Sequence, residues 1–314
     1  MKKLYKIAPV FEARLWGGQA IREKFGYVTD LPNIAEVYNV VALPGHLDNE
    51  VETTDLTLSE FFAAYPELFD CDWDRVPVET CMAYAEQTLS VQVHPDDEYG
   101  LTHDGMRGRP EGVVVIDGLE DNRVLIGHHA QTREQFEEWA NAQEWDRLSR
   151  YINLRKDDFV NIPAGTLHAF GADSIAVAFS PNSDITYRLY DFDRIDPATG
   201  RTRDLHVQQV FDTVTVPDDQ VVAVTPMPVD ENGCEVTLYH DDPGSYTAGR
   251  VRTSGRGTFT RPEFVFFTCV AGSGRIDDMP IAAGETVFVP AHYDAVTIEG
   301  DLDLMYVSYK NAEL

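Results

Sequence analysis

Cations are scarce in this chain. Its 25 lysines and arginines stand against 53 aspartates and glutamates, a formal net charge of −28 at neutral pH. Such a chain repels nucleic acid and anionic membranes at long range, and it accepts an anionic substrate only where a few cations are gathered in one place. Cysteine is sparse as well. Cys71, Cys81, Cys234 and Cys269 form no CxxC pair, so neither a thiolate zinc knuckle nor a dithiol redox motif is indicated. Long apolar runs are missing: no segment approaches the ~18 residues of a membrane span. The start, MKKLYKIAPVFEARLWGG, has a basic tip but not the apolar core of a signal peptide. Short-period repeats and low-complexity tracts are absent too. These gaps point to a cytoplasmic enzyme or binding protein with free thiols, acting on neither nucleic acid nor membrane.

What is present is ordinary for a globular protein: 314 residues, 43% hydrophobic and 25% charged, enough for two domains at ~150 residues each. Helical patterns are few. Residues 55–69 offer Thr57 or Ser59 as a cap, and Pro66 keeps any helix there short or broken. Residues 132–152 read as a longer helix, with Thr132 and Gln135 as a capping box and Phe136, Trp139, Ala140, Leu148, Tyr151 and Ile152 along one side. The rest reads as short strands between Gly, Pro, Asp and Asn. TLSVQVH at 88–94 alternates strictly, and EGVVVID at 111–117 and ITYRLY at 185–190 are further strands. From about residue 220, VFFTCVAGSG, ETVFVPAHY, AVTIEG and LDLMYVSY continue the theme, which suits sandwiches or barrels. The acidic, turn-rich Val216–Asp219 segment is a natural boundary between two such units.

On the 88–94 strand, Gln92 and His94 project from the same side. A polar face turned into a barrel must find partners, water or a metal, and imidazole with carboxylate suits zinc or a similar divalent ion. His168 follows a Pro-Ala-Gly-Thr turn in NIPAGTLHAFG, and Glu111 opens a strand in RGRPEGVVVIDG. Spacing alone leaves these residues free to be separate hydrogen-bonded side chains.

TLSVQVHPDDEYG, RPEGVVVIDG, NIPAGTLHAFG, SDITYRLYDFDR and GRTRDLHVQQVFD, taken in this order, resemble the type I phosphomannose isomerases in their shorter bacterial branch. RLWGG near the start and GETVFVPAHYDAVTIEG near the end are similar too, so the resemblance covers nearly the whole chain. It implies a mainly β fold of two cupin-like double-stranded β-helix (jelly-roll) barrels with a few helices. Residues 1–215 would be a metal-binding catalytic barrel with helical insertions, and 216–314 a metal-free jelly roll whose PAHYD keeps only His292. By matched position, His94, Glu111 and His168 are the implied zinc ligands, one ion per chain, with Gln92 a fourth or nearby ligand. Asp184 and Arg188 match the sugar pocket, although the two could instead form a structural ion pair. The implied reaction interconverts mannose-6-phosphate and fructose-6-phosphate through a cis-enediol. Asp184, His103, a metal-bound water or a residue outside these motifs are all open as the base.

The pocket departs from the family pattern. Arg109 stands where the family has lysine two residues before the ligand glutamate, and Ala178 where it has glutamate six residues before the SD aspartate. Cys81 occupies a usual lysine position and Tyr38 a usual tryptophan. Arg109 can hold a phosphate or hydroxyl but cannot serve as a base at neutral pH. With Arg188 it is expected to bind the phosphate. The alternatives are a related zinc cupin isomerase or epimerase for another sugar, phosphorylated or not, and a non-catalytic sugar-binding zinc cupin.

Overall fold

A computed structural model describes residues 3–118, 122–196 and 199–312. The expectation of a mainly β chain holds, and the paired strands are antiparallel throughout. A six-stranded sheet runs in the order Phe159–Ile162, Glu111–Gly118, Ser174–Pro181, Val78–Ala85, Glu36–Val40, Val10–Glu12. A five-stranded sheet runs Ser149–Leu154, Asn122–His128, His168–Ala169, Val91–Val93, Tyr187–Tyr190. Val113, Val115, Val160 and Ile162 of the first pack against Val124, Ile126 and Leu154 of the second. Both faces of Glu111–Gly118 are therefore covered, which explains why VVVI reads as a continuous apolar run rather than an alternation.

The third sheet has nine strands. Long hairpins from Cys234–Asp242, Tyr246–Phe259, Val265–Ile276 and Val296–Ser308 form its body, with Val236, Val251, Phe267 and Leu304 in a core of their own. AVTIEG and LDLMYVSY prove to be one strand. Gly300, at φ +124°, continues it where a Cβ would meet Ser273 O at 2.6 Å, so glycine here marks a close approach and not a turn. The sheet is completed from the other end of the chain: Tyr5–Ala8 pairs with Thr286–Val289, Ile7 opposite Thr286, and carries Glu50–Val51 on its far side. A core holding Ile7, Val37, Val114, Phe264 and Phe288 runs between the sheets.

Helices decorate this frame. Leu58–Ala64 begins with Thr57 and Glu60 in a reciprocal capping box and stops before Pro66. Thr132 caps Arg133–Asn141 by accepting from the Gln135 amide, but the Gln135 side chain reaches Gln131 N instead of closing a box. The helix expected to run to 152 ends early. Gln143 takes a positive φ of 55°, a single turn follows at Trp145–Leu148, and Tyr151 and Ile152 lie on the strand Ser149–Leu154. Aromatic and β-branched residues suit the pleated edge against Asn122–His128, and that pairing overrides a helical spacing. The acidic segment near 216–219 is anchored: Asp218 accepts from Arg150 Nε at 2.9 Å, and Val224 bridges to Phe159. Among the described residues no helix is long and apolar enough to cross a membrane.

Candidate active site

Strand register builds the site. Val91–Val93 lies between His168–Ala169 and Tyr187–Tyr190, with Gln92 opposite both His168 and Arg188. Direct partners in antiparallel strands share a face, so three residues singled out in distant motifs form one row. The strand is shorter than the 88–94 alternation implied, yet Ser90 keeps the same side and donates to Gln92 Oε1 at 3.0 Å. His168 owes its place to Gly165 at φ +83°, where a Cβ would meet Thr215 Oγ1 at 2.4 Å.

His94, Glu111 and His168 are buried and converge: one ligand atom from each lies within 4.8 Å of the others. His94 Nε2 is 3.5 Å from Glu111 Oε1, and His168 Nε2 is 3.9 Å from Oε2. Each ring is oriented from behind by a carbonyl, which can only accept. His94 Nδ1–H donates to Ile185 O at 2.7 Å and His168 Nδ1–H to Thr166 O at 2.9 Å. Both Nε2 atoms therefore present lone pairs towards a carboxylate. Burial, aided at His94 by His168 and Arg109, holds both imidazoles below their ordinary pKa, so they are neutral. Among the described residues His94 Nε2 is buried without a hydrogen-bond partner. Two lone pairs aimed at an anion are repulsive unless a cation lies between them. The donor set thus fits a divalent ion, and neutral imidazole is the form that binds one. Gln92 Nε2, 3.3 Å from His168 Nε2, borders the cluster.

Arg109, 7% exposed, lies beside this cluster with its charge already matched. Nη2 donates to Glu79 Oε1 at 2.8 Å, Nε is 3.3 Å from Glu111 Oε1, and Nη1 is 3.8 Å from Asp184 Oδ1. Glu79 escaped the sequence reading. It is 1% exposed, and burial pushes its carboxyl up to about 8 against the pull of Arg109. Its only sequence signal is a charge spaced two from Cys81 in an otherwise uncharged strand.

The cavity above the cluster is lined by Asp184, Thr186 and Arg188, by Arg14 and Arg203, and by Trp16, Leu89 and Phe170. Asp184 does not pair with Arg188. Its Oδ2 meets His46 Nε2 at 2.9 Å, while Arg188 makes no ion pair among the described residues and its Nε is buried without a partner. Burial and the nearby Arg203 hold the Arg188 guanidinium below its usual pKa. Arg14 is bound by Glu36 at 2.7 Å and Glu12 at 3.0 Å, and Arg203 by Asp191, which also takes Arg194. His103 ends the helix Asp97–His103, exposed, stacked on Tyr99 and away from the cavity lining. His292 pairs with Asp70 at 2.5 Å on the outside.

Three departures from the family pattern prove to be neighbours. Tyr38 is opposite Cys81, and Cys81 is opposite Ala178, across three adjacent strands. Cys81 and Ala178 line the cavity, and burial raises the Cys81 thiol far above its usual range, which leaves it unreactive.

No family model matches the chain. Among curated proteins it is 33% identical over 309 residues to the Bacillus subtilis protein named "Probable mannose-6-phosphate isomerase GmuF", covering 95% of this chain and 97% of that one. It is 32% identical over 302 residues to the mannose-6-phosphate isomerase of Streptococcus mutans, covering 93% and 94%. Among solved structures, the mannose 6-phosphate isomerase of Bacillus subtilis superposes with a TM-score of 0.91 at 28% identity over 98% of this chain and 99% of that one. The apo enzyme from Salmonella typhimurium shares the fold at a TM-score of 0.75 and 14% identity, over 99% and 100%. These structures are of the cupin type.

Proposed function

The chain belongs to the mannose-6-phosphate isomerase family, and on that premise we propose that it interconverts mannose-6-phosphate and fructose-6-phosphate at the cavity described above. The observation that carries the reading is the buried, partnerless Nε2 of His94 facing Glu111, with an uncommitted Arg188 in the adjoining cavity. His94, Glu111 and His168 would hold one zinc ion per chain, with Gln92 as fourth or bordering ligand. Bound there, the ion supplies a Lewis acid for the sugar oxygens at C1 and C2.

The chain's own groups do the rest. Arg188 offers a free planar fork to the phosphate at the cavity wall. Asp184 is the cavity carboxylate left over once Glu111 is assigned to the metal and Glu36 to Arg14. It takes the C2 proton of the open sugar and returns it at C1, the hydroxyl proton passing from O2 to O1 within the cis-enediol, while His46 bears on its second oxygen. Arg109 stays charged and holds Asp184 and Glu111 in place. Trp16, Leu89 and Phe170 cover the cavity and limit water around the enediol. In this reading residues 1–215 carry the metal site, and 216–314, joined by Tyr5–Ala8 and Glu50–Val51, form a metal-free barrel. The four cysteines are free thiols, which suits the reducing cytoplasm.

A second reading has one observation in its favour. The small, uncharged Cys81 and Ala178 leave the cavity floor without the family's usual charges, which suits a different sugar. A coupled assay with mannose-6-phosphate, mannose and other aldoses, with and without chelator, decides. Chelator-sensitive turnover of mannose-6-phosphate at much higher kcat/KM than the others supports the first reading. Preference for an unphosphorylated sugar installs the second, and no turnover of any leaves a binding protein.

A further inference from the structure

Glu79 is a buried carboxylate beside the cluster that the proposed reaction leaves without a task. It sits on Val78–Ala85, opposite Ser180, 30 positions from Arg109 and on a different strand from any metal candidate. We infer that Glu79 is a positioning residue: it anchors Arg109, and Arg109 in turn fixes the Glu111 carboxylate for the metal.

The distances give the order of command. Of the three contacts of the Arg109 guanidinium, only Nη2 to Glu79 Oε1, at 2.8 Å, is a hydrogen bond; the approaches to Glu111 at 3.3 Å and Asp184 at 3.8 Å are looser. The Arg109 amide is itself held by Pro95 O at 3.0 Å, next to His94. The planar fork is thus fixed at its backbone and at one tip, and its Nε lies 3.3 Å from the oxygen that Glu111 turns towards His94, a charge contact rather than a hydrogen bond. Packing alone does not call for an acid there, since the other buried residues of the strand, Val78, Thr80, Cys81, Met82 and Ala85, are all uncharged. The burial penalty that raises the Glu79 carboxyl is accepted in exchange for a rigid Arg109.

This inference rests on the metal-site reading, and its test is metal affinity rather than turnover. Zinc is titrated into metal-free wild type, Glu79→Leu, Glu79→Gln, Arg109→Gln and the double variant Glu79→Leu/Arg109→Gln, in competition with a chromophoric chelator. Glu79→Leu should weaken zinc by about 10- to 100-fold, the usual cost of losing an orienting group behind a ligand. Glu79→Gln should weaken it less. Adding Glu79→Leu to Arg109→Gln should cost nothing further, because the lever is already gone. With zinc saturating, kcat on mannose-6-phosphate should fall in Glu79→Gln with KM little changed. Equal zinc affinity in wild type and a folded Glu79→Leu overturns the inference, as do additive losses in the double variant. Where the leucine variant fails to fold, Glu79→Gln with unaltered zinc affinity overturns it. Wild type that binds no zinc overturns the metal reading itself.

Discussion

Cys81 and Ala178 face each other across adjacent antiparallel strands, direct register partners at the cavity floor. By motif spacing, the resemblance to phosphomannose isomerases puts a lysine and a glutamate at these two positions, which in this register would be cross-strand partners. Losing only one member would bury an unmatched charge, whereas losing both leaves small neutral residues at little cost.

Restoring the pair should show the coupling. Cys81→Lys meets Glu36 and Glu79, whose charges already bear on Cys81, and should be the milder single change. Ala178→Glu adds an anion to an acidic site and should destabilise more. The double variant should recover about 0.5–3 kcal/mol relative to the sum of the singles. Urea midpoints at constant m-value measure this, and strict additivity would rule it out.

Metal should be stoichiometric and dependent on the two imidazoles. Wild type should carry about one zinc per chain by elemental analysis, and zinc at 100 times its Kd should raise the unfolding free energy by about 2.7 kcal/mol. His94→Ala should keep the secondary structure and lose that increment. A thermal shift by zinc as large in His94→Ala as in wild type would place the ion elsewhere.

Phosphate recognition should centre on Arg188. Removing a charged hydrogen bond to substrate costs roughly 2–4 kcal/mol, or ~30- to 1000-fold in kcat/KM. Arg188→Ala should lose that much on mannose-6-phosphate and far less on mannose. Arg109→Ala should lose on both sugars alike, since its guanidinium is committed to Glu79, Glu111 and Asp184. Equal losses on both sugars for Arg188→Ala would end the assignment.

Acid should loosen the cavity wall through Asp191. Burial opposes its ionisation, yet Arg203 and Arg194 outweigh burial and hold its carboxyl below the ordinary value. A depressed folded pKa means that the unfolded chain takes up the proton first as pH falls. The contribution is therefore complete above about pH 4, the ordinary aspartate value, and is lost as pH drops through the folded pKa. Asp191→Asn should flatten the fall of the urea midpoint below pH 4 and lower stability at pH 7. An identical acid slope in variant and wild type would exclude this linkage.

The sequence was most informative where chemistry and turn residues coincide. His94, His168 and Arg188 each lie in a motif with its own punctuation, and the fold brings the two histidines together at Glu111 and sets Gln92 opposite both His168 and Arg188. It was least informative about register. Nothing in PVETC or VAFSPNS says that Cys81 will face Ala178, because neighbours across a sheet are chosen by loops and cores elsewhere. Glu79 was invisible for the same reason: its meaning is Arg109, 30 residues on. Tyr151 and Ile152 misled because three or four apolar residues at helical spacing also fit one edge strand once a partner is present.

The pairing of Ile7 with Thr286 has a consequence for biosynthesis. The two residues leave the ribosome 279 positions apart, by subtraction of those numbers, which at ~5–20 residues per second is roughly 15–55 s. Through that interval Tyr5–Ala8 has an open edge and no strand from the far end to meet it, with Phe61 and Phe69 waiting on Phe288 to close their cluster. A nascent chain arrested near residue 215 would hold His94, Glu111 and His168 and still expose that edge. Tyr5–Ala8 is thus secured only after Thr286–Val289 has emerged, and chaperone contact with that strand should persist until then.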